Sequence, residues 1–152
     1  MSLLSRLFGT DAAARDVLVD LAEDYRAEAT QAALLRAQAD RARYPQAADA
    51  LRRLADIEDR HAGWLRDRIV NLGGRVPTLE APTVSGNNQW ARTVAAAHVA
   101  QAKRRRLIEQ IAHWDPDEPE IVALLHRIGD EDVREQGVYD GLIMRSDPQS
   151  ID

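Results

Sequence analysis

Residues 51–65 read LRRLADIEDRHAGWL, and this stretch decides how the rest of the chain is interpreted. Apolar residues three and four positions apart continue beyond it to Ile69 and Leu72, which is the spacing of one face of an α-helix. Glu58 and His61 interrupt this face, and they lie one helical turn apart on the same side. The stretch therefore predicts an amphipathic helix with a carboxylate and an imidazole on its buried side.

The composition is dominated by Ala, Leu, Arg, Asp and Glu, which favours helix over strand throughout. We expect four helices, at about residues 11–43, 45–72, 89–113 and 119–144. Short turns join the first pair and the second pair, whereas residues 75–88 form a connector rich in turn formers. Two antiparallel hairpins joined by one long crossover give an all-α four-helix bundle. The expected domain boundaries are an N-terminal extension at residues 1–10, the bundle at 11–146 and a tail at 147–152.

A second polar interruption lies on the first predicted helix. Its apolar stripe is broken by Glu28 and by the hydroxyl of Tyr25, so two neighbouring helices each carry a carboxylate at mid-height. A shift of the first half by 73 residues (131 − 58 = 101 − 28 = 73) lays Glu58 on Glu131 and Glu28 on Gln101. This alignment indicates a weak internal repeat.

Carboxylates on the inner face of a bundle need partners, because burial of an unpaired charge costs several kcal/mol. A divalent metal ion would satisfy Glu28, Glu58 and His61 together, since carboxylate oxygen and imidazole nitrogen are ligands of such ions. A network of ion pairs or hydrogen bonds with basic side chains is the competing interpretation. In the second half Glu131 is the first candidate ligand. Weaker candidates are Gln101, Glu135 and His98.

Composition also excludes several classes of function. The 152 residues fit one domain, and the absence of cysteine excludes disulfides, thiolate metal sites and cysteine nucleophiles. A net charge of −5 argues against nucleic acid as a partner, and the basic cluster at residues 103–106 is interpreted as a solvated helix face. No apolar run is long enough to span a membrane, so a cytoplasmic protein is expected. Nucleophile-elbow, P-loop and Rossmann glycine patterns are not present.

With these residues in view, the chain resembles the ferritin-like superfamily of di-iron carboxylate proteins. Rubrerythrin-like and bacterioferritin-like proteins and the demethoxyubiquinone hydroxylases belong to this superfamily. The resemblance is carried by residues 57–65, IEDRHAGWL, and by the helix stop at Gly73 and Gly74. It implies a four-helix bundle with one Glu on helices 1 and 3, and Glu-x-x-His on helices 2 and 4.

Carried over residue by residue, the resemblance makes Glu28, Glu58 and His61 the ligands of one half-site and Glu131 the carboxylate of the other. Arg134 stands where the second histidine of the pattern belongs, and Gln101 stands in place of a carboxylate. Arginine has no lone pair to donate, so it would repel a second cation or pair with Glu131. Three alternatives remain: a single-metal site, an altered two-metal site, or a metal-free bundle. The altered site would use Glu135, Asp132 or His98.

The expected function is that of a ferritin-like metal-binding protein, with iron or another divalent metal as cofactor and one ion as an alternative to two. The resemblance implies oxidase, oxygen or peroxide chemistry, or iron handling, and a homodimer as the assembly. The alternative is a degenerate, metal-free bundle with a structural or interaction role.

Overall fold

The computed structural model describes residues 3–150, with side chains from residue 17 to residue 150. Within this part the backbone forms four helices and no strand: α1 (Leu3–Ala39), α2 (Pro45–Asn71), α3 (Gln89–Trp114) and α4 (Pro119–Arg145). The prediction of an all-α four-helix bundle is confirmed. The first helix begins earlier than expected and ends four residues sooner than Arg43. The domain boundaries after residues 10 and 146 stay predictions.

Local sequence explains where the helices begin and end. Pro45 and Pro119 occupy the first helical position of α2 and α4, where a missing N–H costs nothing. Asn88 caps α3 by accepting a hydrogen bond of 2.8 Å from the backbone N–H of Ala91. Gly73 ends α2 in the left-handed region, with φ of +76°, as a glycine after a helix commonly does.

The helices are arranged as two antiparallel hairpins. Helix α1 packs against α2 and α3, and α4 packs against α3 and α2. Contacts between α1 and α3 run in opposite order along the two helices. Asp20, which precedes Gln38 in α1, contacts Trp114 at the end of α3, and Gln38, late in α1, contacts Arg92 near the start of α3. Because α1 is antiparallel to both neighbours, α2 and α3 run in the same direction, and residues 72–88 must cross the length of the bundle. This is the predicted crossover.

The core has two apolar clusters, one toward each end of the bundle. One contains Leu35, Leu51 and Leu142, and the other contains Leu21 and Leu65. On each helix, buried polar residues lie in the sequence between members of one apolar cluster and members of the other. These residues are Glu28, Glu58, His61, Lys103 and Glu135. None of the helices in residues 3–150 combines the length and the apolar character that a bilayer span requires.

Candidate metal centre

The first half of the candidate site is formed by α1 and α2. Glu28 on α1 and Glu58 and His61 on α2 are at most 1% exposed. One oxygen of each carboxylate and one nitrogen of the imidazole lie within 4.8 Å of one another. The structure therefore brings together the three residues that the sequence singled out on these two helices.

Helix α3 contributes a lysine that the sequence did not single out. Lys103 is 4% exposed, and its ammonium donates a hydrogen bond of 2.7 Å to Glu28 Oε2. The same ammonium donates to Glu58 Oε2. Residues 103–106 are therefore not a uniformly solvated face, because the helix turns Lys103 inward while Arg104 and Arg105 stay exposed. The buried cation joins the two carboxylates across three helices.

Helix α4 contributes two carboxylates. Glu135 is 5% exposed, and the side chain of Asp132 is 9% exposed. Ligand atoms of these two residues and of His61 also lie within 4.8 Å of one another. His61 therefore belongs to both acidic groups, one on the side of α1 and one on the side of α4.

The orientation of His61 is fixed from outside the cluster. Its Nε2 atom lies 2.9 Å from Glu131 Oε2, and the same oxygen accepts a hydrogen bond of 2.7 Å from Arg60. Its Nδ1 atom lies 3.6 Å from Glu28 Oε2 and 3.6 Å from Asp132 Oδ1. These distances exceed those of good hydrogen bonds, and Nδ1 finds no such partner among the described residues. A buried nitrogen that faces carboxylates in this way is a candidate metal ligand. It is also a candidate site for a proton, because Glu28, Glu131 and Asp132 overcome the effect of burial and raise the pKa of His61.

The charge of the cluster is unbalanced. Four carboxylates, those of Glu28, Glu58, Asp132 and Glu135, face the single ammonium of Lys103. Burial raises the pKa of Asp132 to about 6, with help from nearby negative charge. Burial and the charge of Asp132 raise the pKa of Glu135 to about 7. The cluster therefore favours either protons or a further cation.

Lys103 acts differently on its two partners. Burial alone would raise the pKa of Glu28, but the ammonium of Lys103 together with the neighbouring Glu58 and His61 outweighs burial and lowers that pKa well below its usual range. Burial and the neighbouring charge of Glu28 raise the pKa of Glu58. Burial opposes the charge on Lys103, yet the two carboxylates raise its pKa above the ordinary value. Both shifts favour the charged forms of Lys103 and Glu28, so the two groups form an ion pair.

Of the other sequence candidates, Glu131 lies at the outer edge of this cluster, and Gln101 and His98 lie on the surface. Glu131 is partly exposed and contacts the outer nitrogen of His61. Gln101 and His98 are exposed, and Gln101 lines a surface groove with Arg104 and Arg105. Arg134 is exposed as well, and Glu131 pairs with Arg60. The expected pairing of Arg134 with Glu131 is therefore not what the structure has.

The spacing of the inward-facing residues along α3 and α4 explains why Lys103 and Asp132 face the cluster. The inward-facing positions of α4 follow the alternating spacing of four and three: Ile121, Leu125, Ile128, Glu135, Tyr139 and Leu142 are buried, and Asp132, between Ile128 and Glu135, has a side chain that is 9% exposed. The corresponding series in α3 includes Thr93, Ala96, Lys103, Leu107, Gln110 and Trp114. Extending either series from its apolar members would have reached the polar ones.

The donor set fits one divalent ion better than two. His61, Asp132 and Glu135 offer an imidazole and two carboxylates, the ligand types that such ions bind. Each of the three has a buried polar atom without a hydrogen-bond partner among residues 17–150. Glu28 and Glu58 share the ammonium of Lys103, although Oε1 of Glu58 also has no hydrogen-bond partner among these residues. A second ion placed between Glu28 and Glu58 would meet the ammonium of Lys103.

The sequence matches no protein-family model and no curated protein. Solved structures are similar to it. An open-pore ferritin from the archaeon Archaeoglobus fulgidus is 18% identical, with a TM-score of 0.73 over 86% of this chain and 83% of that chain. A bacterioferritin of Mycobacterium tuberculosis is 20% identical, with a TM-score of 0.75 over 85% of this chain and 84% of that chain.

At this level of identity the likeness concerns the fold. It extends over more than four fifths of each chain. The chain has the same four-helix fold as this ferritin and this bacterioferritin.

Proposed function

We propose that the bundle binds one divalent metal ion, with iron as the first candidate, through His61, Asp132 and Glu135. The observation that carries the proposal is the Nδ1 atom of His61, which is buried among carboxylates without a hydrogen-bond partner in the described chain. Glu131 holds the opposite ring nitrogen, as an outer carboxylate does for many metal-binding histidines. The likeness to proteins named ferritin and bacterioferritin makes iron the first ion to test.

The chain's own residues would give the ion a partly dry and negatively charged environment. Asp132 and Glu135 supply the charge, and apolar clusters lie on both sides of the cluster along the bundle. Bound iron with open coordination positions would supply oxygen or peroxide chemistry, or iron oxidation. Tyr139, buried one turn after Glu135, is the nearest aromatic hydroxyl on α4 and accepts a hydrogen bond of 3.1 Å from Gln31.

Metal analysis of protein purified without chelator, and again after anaerobic loading with Fe²⁺, tests the proposal. We expect one equivalent per chain, and we expect Glu135→Gln and His61→Ala to lose it. His126→Ala is the matched control, because His126 is an exposed histidine on α4. Failure of the wild-type protein to retain any divalent ion under these conditions would exclude the proposal.

The second candidate function is a metal-free bundle with a structural or interaction role. The ion pairs of Lys103 with Glu28 and Glu58 favour it, because they satisfy two of the buried carboxylates without any ion. Under this reading the remaining carboxylates hold protons, in line with the raised pKa values of Asp132 and Glu135. A chain that binds no metal but folds normally would support this candidate.

We also propose that the protein is a homodimer and lies in the cytoplasm. Val19 on α1 and Val70 on α2 each remain 57% exposed, which is consistent with an interface along these two helices. Light scattering on wild-type protein and on Val70→Lys tests the assembly. We expect a dimer that the substitution weakens.

A further inference from the structure

Lys103 is the only lysine in the chain, and the other 19 basic residues are arginines. A lysine is most often a surface residue, and burial of its charge is costly unless the charge is paired. Here the side chain is 4% exposed and reaches two carboxylates that come from two other helices. This placement calls for an explanation beyond solubility.

An ammonium group is a compact positive charge, and in this respect it resembles a metal ion more than the broad, planar guanidinium does. Glu28 and Glu58, together with His61, form one of the two ligand groups that residues 17–150 offer to a metal. The ammonium lies between the two carboxylates of that group. A divalent ion that bound there would have to approach a fixed positive charge at short distance.

We propose that Lys103 is a built-in cation that takes the place of a metal ion between Glu28 and Glu58 and thereby limits the bundle to one ion. This inference rests on the proposed function, because the single ion is the one held by His61, Asp132 and Glu135. It adds that the number of ions is set by one side chain on α3. It also explains how a site with so many carboxylates remains folded before metal is bound.

The test is to remove the charge and keep the side-chain length. Lys103→Met replaces the ammonium by an uncharged chain of similar reach. Arg105→Met is the control, since Arg105 is an exposed cation on the same helix. Binding of Co²⁺ is followed by calorimetric titration and by metal analysis after dialysis, and the coupling between bound Mn²⁺ ions is followed by electron paramagnetic resonance.

We expect one ion per chain in the wild type and in Arg105→Met, and two in Lys103→Met. The variant should also show the magnetic coupling of two neighbouring Mn²⁺ ions. One ion in both the wild type and Lys103→Met would overturn the inference and leave the proposed function intact. Two ions in the wild type would overturn the inference as well. No ion in the wild type would overturn the proposed function and the inference with it.

Lys103→Met leaves Glu28 and Glu58 unpaired, so the variant can fail to fold without metal. Far-ultraviolet circular dichroism during a Co²⁺ titration covers that case. We then expect helix formation to be complete at two ions per chain. A variant that stays unfolded at saturating Co²⁺, or that folds with one ion, would contradict the inference.

Discussion

The Nε2 atom of His61 lies 2.9 Å from Oε2 of Glu131, and this contact aims the other ring nitrogen at the acidic cluster. Arg60 binds the same carboxylate oxygen from the solvent side. Glu131 is thus part of a chain of three side chains that runs from the surface to the cluster. Between Arg60 and His61, Glu131 is placed to orient the imidazole of His61.

We predict that Glu131→Ala weakens metal binding by about 10- to 100-fold and leaves the stoichiometry at one, because the imidazole loses its orienting partner. Titration with Co²⁺ measures both quantities. Asp130→Ala is the control, since Asp130 is an exposed neighbour on α4. Complete loss of the ion would instead make Glu131 a ligand, as the sequence pattern suggested, and unchanged affinity would exclude both roles.

Metal binding should stabilise the fold, because an ion that binds only the native state shifts the unfolding equilibrium. At free Co²⁺ of about 100 times the dissociation constant, the gain is about 2.7 kcal/mol. For a domain of this length, this corresponds to a rise in Tm of about 5–10 °C. Scanning calorimetry with and without chelator measures it. A rise of the same size in Glu135→Gln would show that the ion binds elsewhere.

The fold was predictable because the apolar periodicity and the prolines and glycines at the helix ends all indicated the same arrangement. Glu58 and His61 were identifiable for the same reason, since Leu51, Leu54 and Leu65 fix the phase of α2. Each of these signals is local to one helix. The number and order of helices follow from them directly.

The second half of the site was harder to predict because its helices carry polar residues on adjacent positions. Glu131 and Asp132 are neighbours in sequence, and a rotation of one residue on the helix decides which of them points inward. Among the inward-facing residues of the second half, Asp132 corresponds to Glu58 with a shift of 74 residues (132 − 58). Lys103 corresponds to Glu28 with a shift of 75 (103 − 28), so the shift of 73 used on the sequence aligns neither pair. The contact of Lys103 with two carboxylates involves three helices at once. The pattern of one helix cannot predict such a contact.

Gly74 is a position where the turn after α2 requires the absence of a side chain. A Cβ atom there would lie 2.6 Å from Leu18 Cδ2 and 3.1 Å from the carbonyl oxygen of Ile69. We predict that Gly74→Ala destabilises the protein by about 1–3 kcal/mol, because the backbone oxygen cannot move freely. At Gly137, inside α4, a Cβ atom meets nothing within 4 Å.

Gly137→Ala is therefore the matched control, and we expect it to stabilise the protein by about 1 kcal/mol through helix propensity. Urea unfolding of the two variants in the presence of chelator provides the comparison. Equal effects of the two substitutions would show that the close approach at Gly74 costs no stability.

Asp24 should make the free energy of unfolding depend on pH, and this effect is separate from metal binding. It is 1% exposed, and it accepts hydrogen bonds from Arg106 and Gln110. Burial nevertheless outweighs these partners and raises its pKa to about 6 from the ordinary 3.8. The native state therefore binds more protons than the unfolded state between these values, and this carboxyl lowers stability as the pH rises through them.

Asp24→Asn cannot ionise, so it should escape this loss. We predict that its stability relative to the wild type improves by about 2 kcal/mol between pH 4.5 and pH 7.5. Urea unfolding with chelator at the two pH values measures the difference, with Asp117→Asn, an exposed aspartate, as the control. If the gap between variant and wild type is the same at both pH values, then Arg106 and Gln110 hold Asp24 ionised despite its burial.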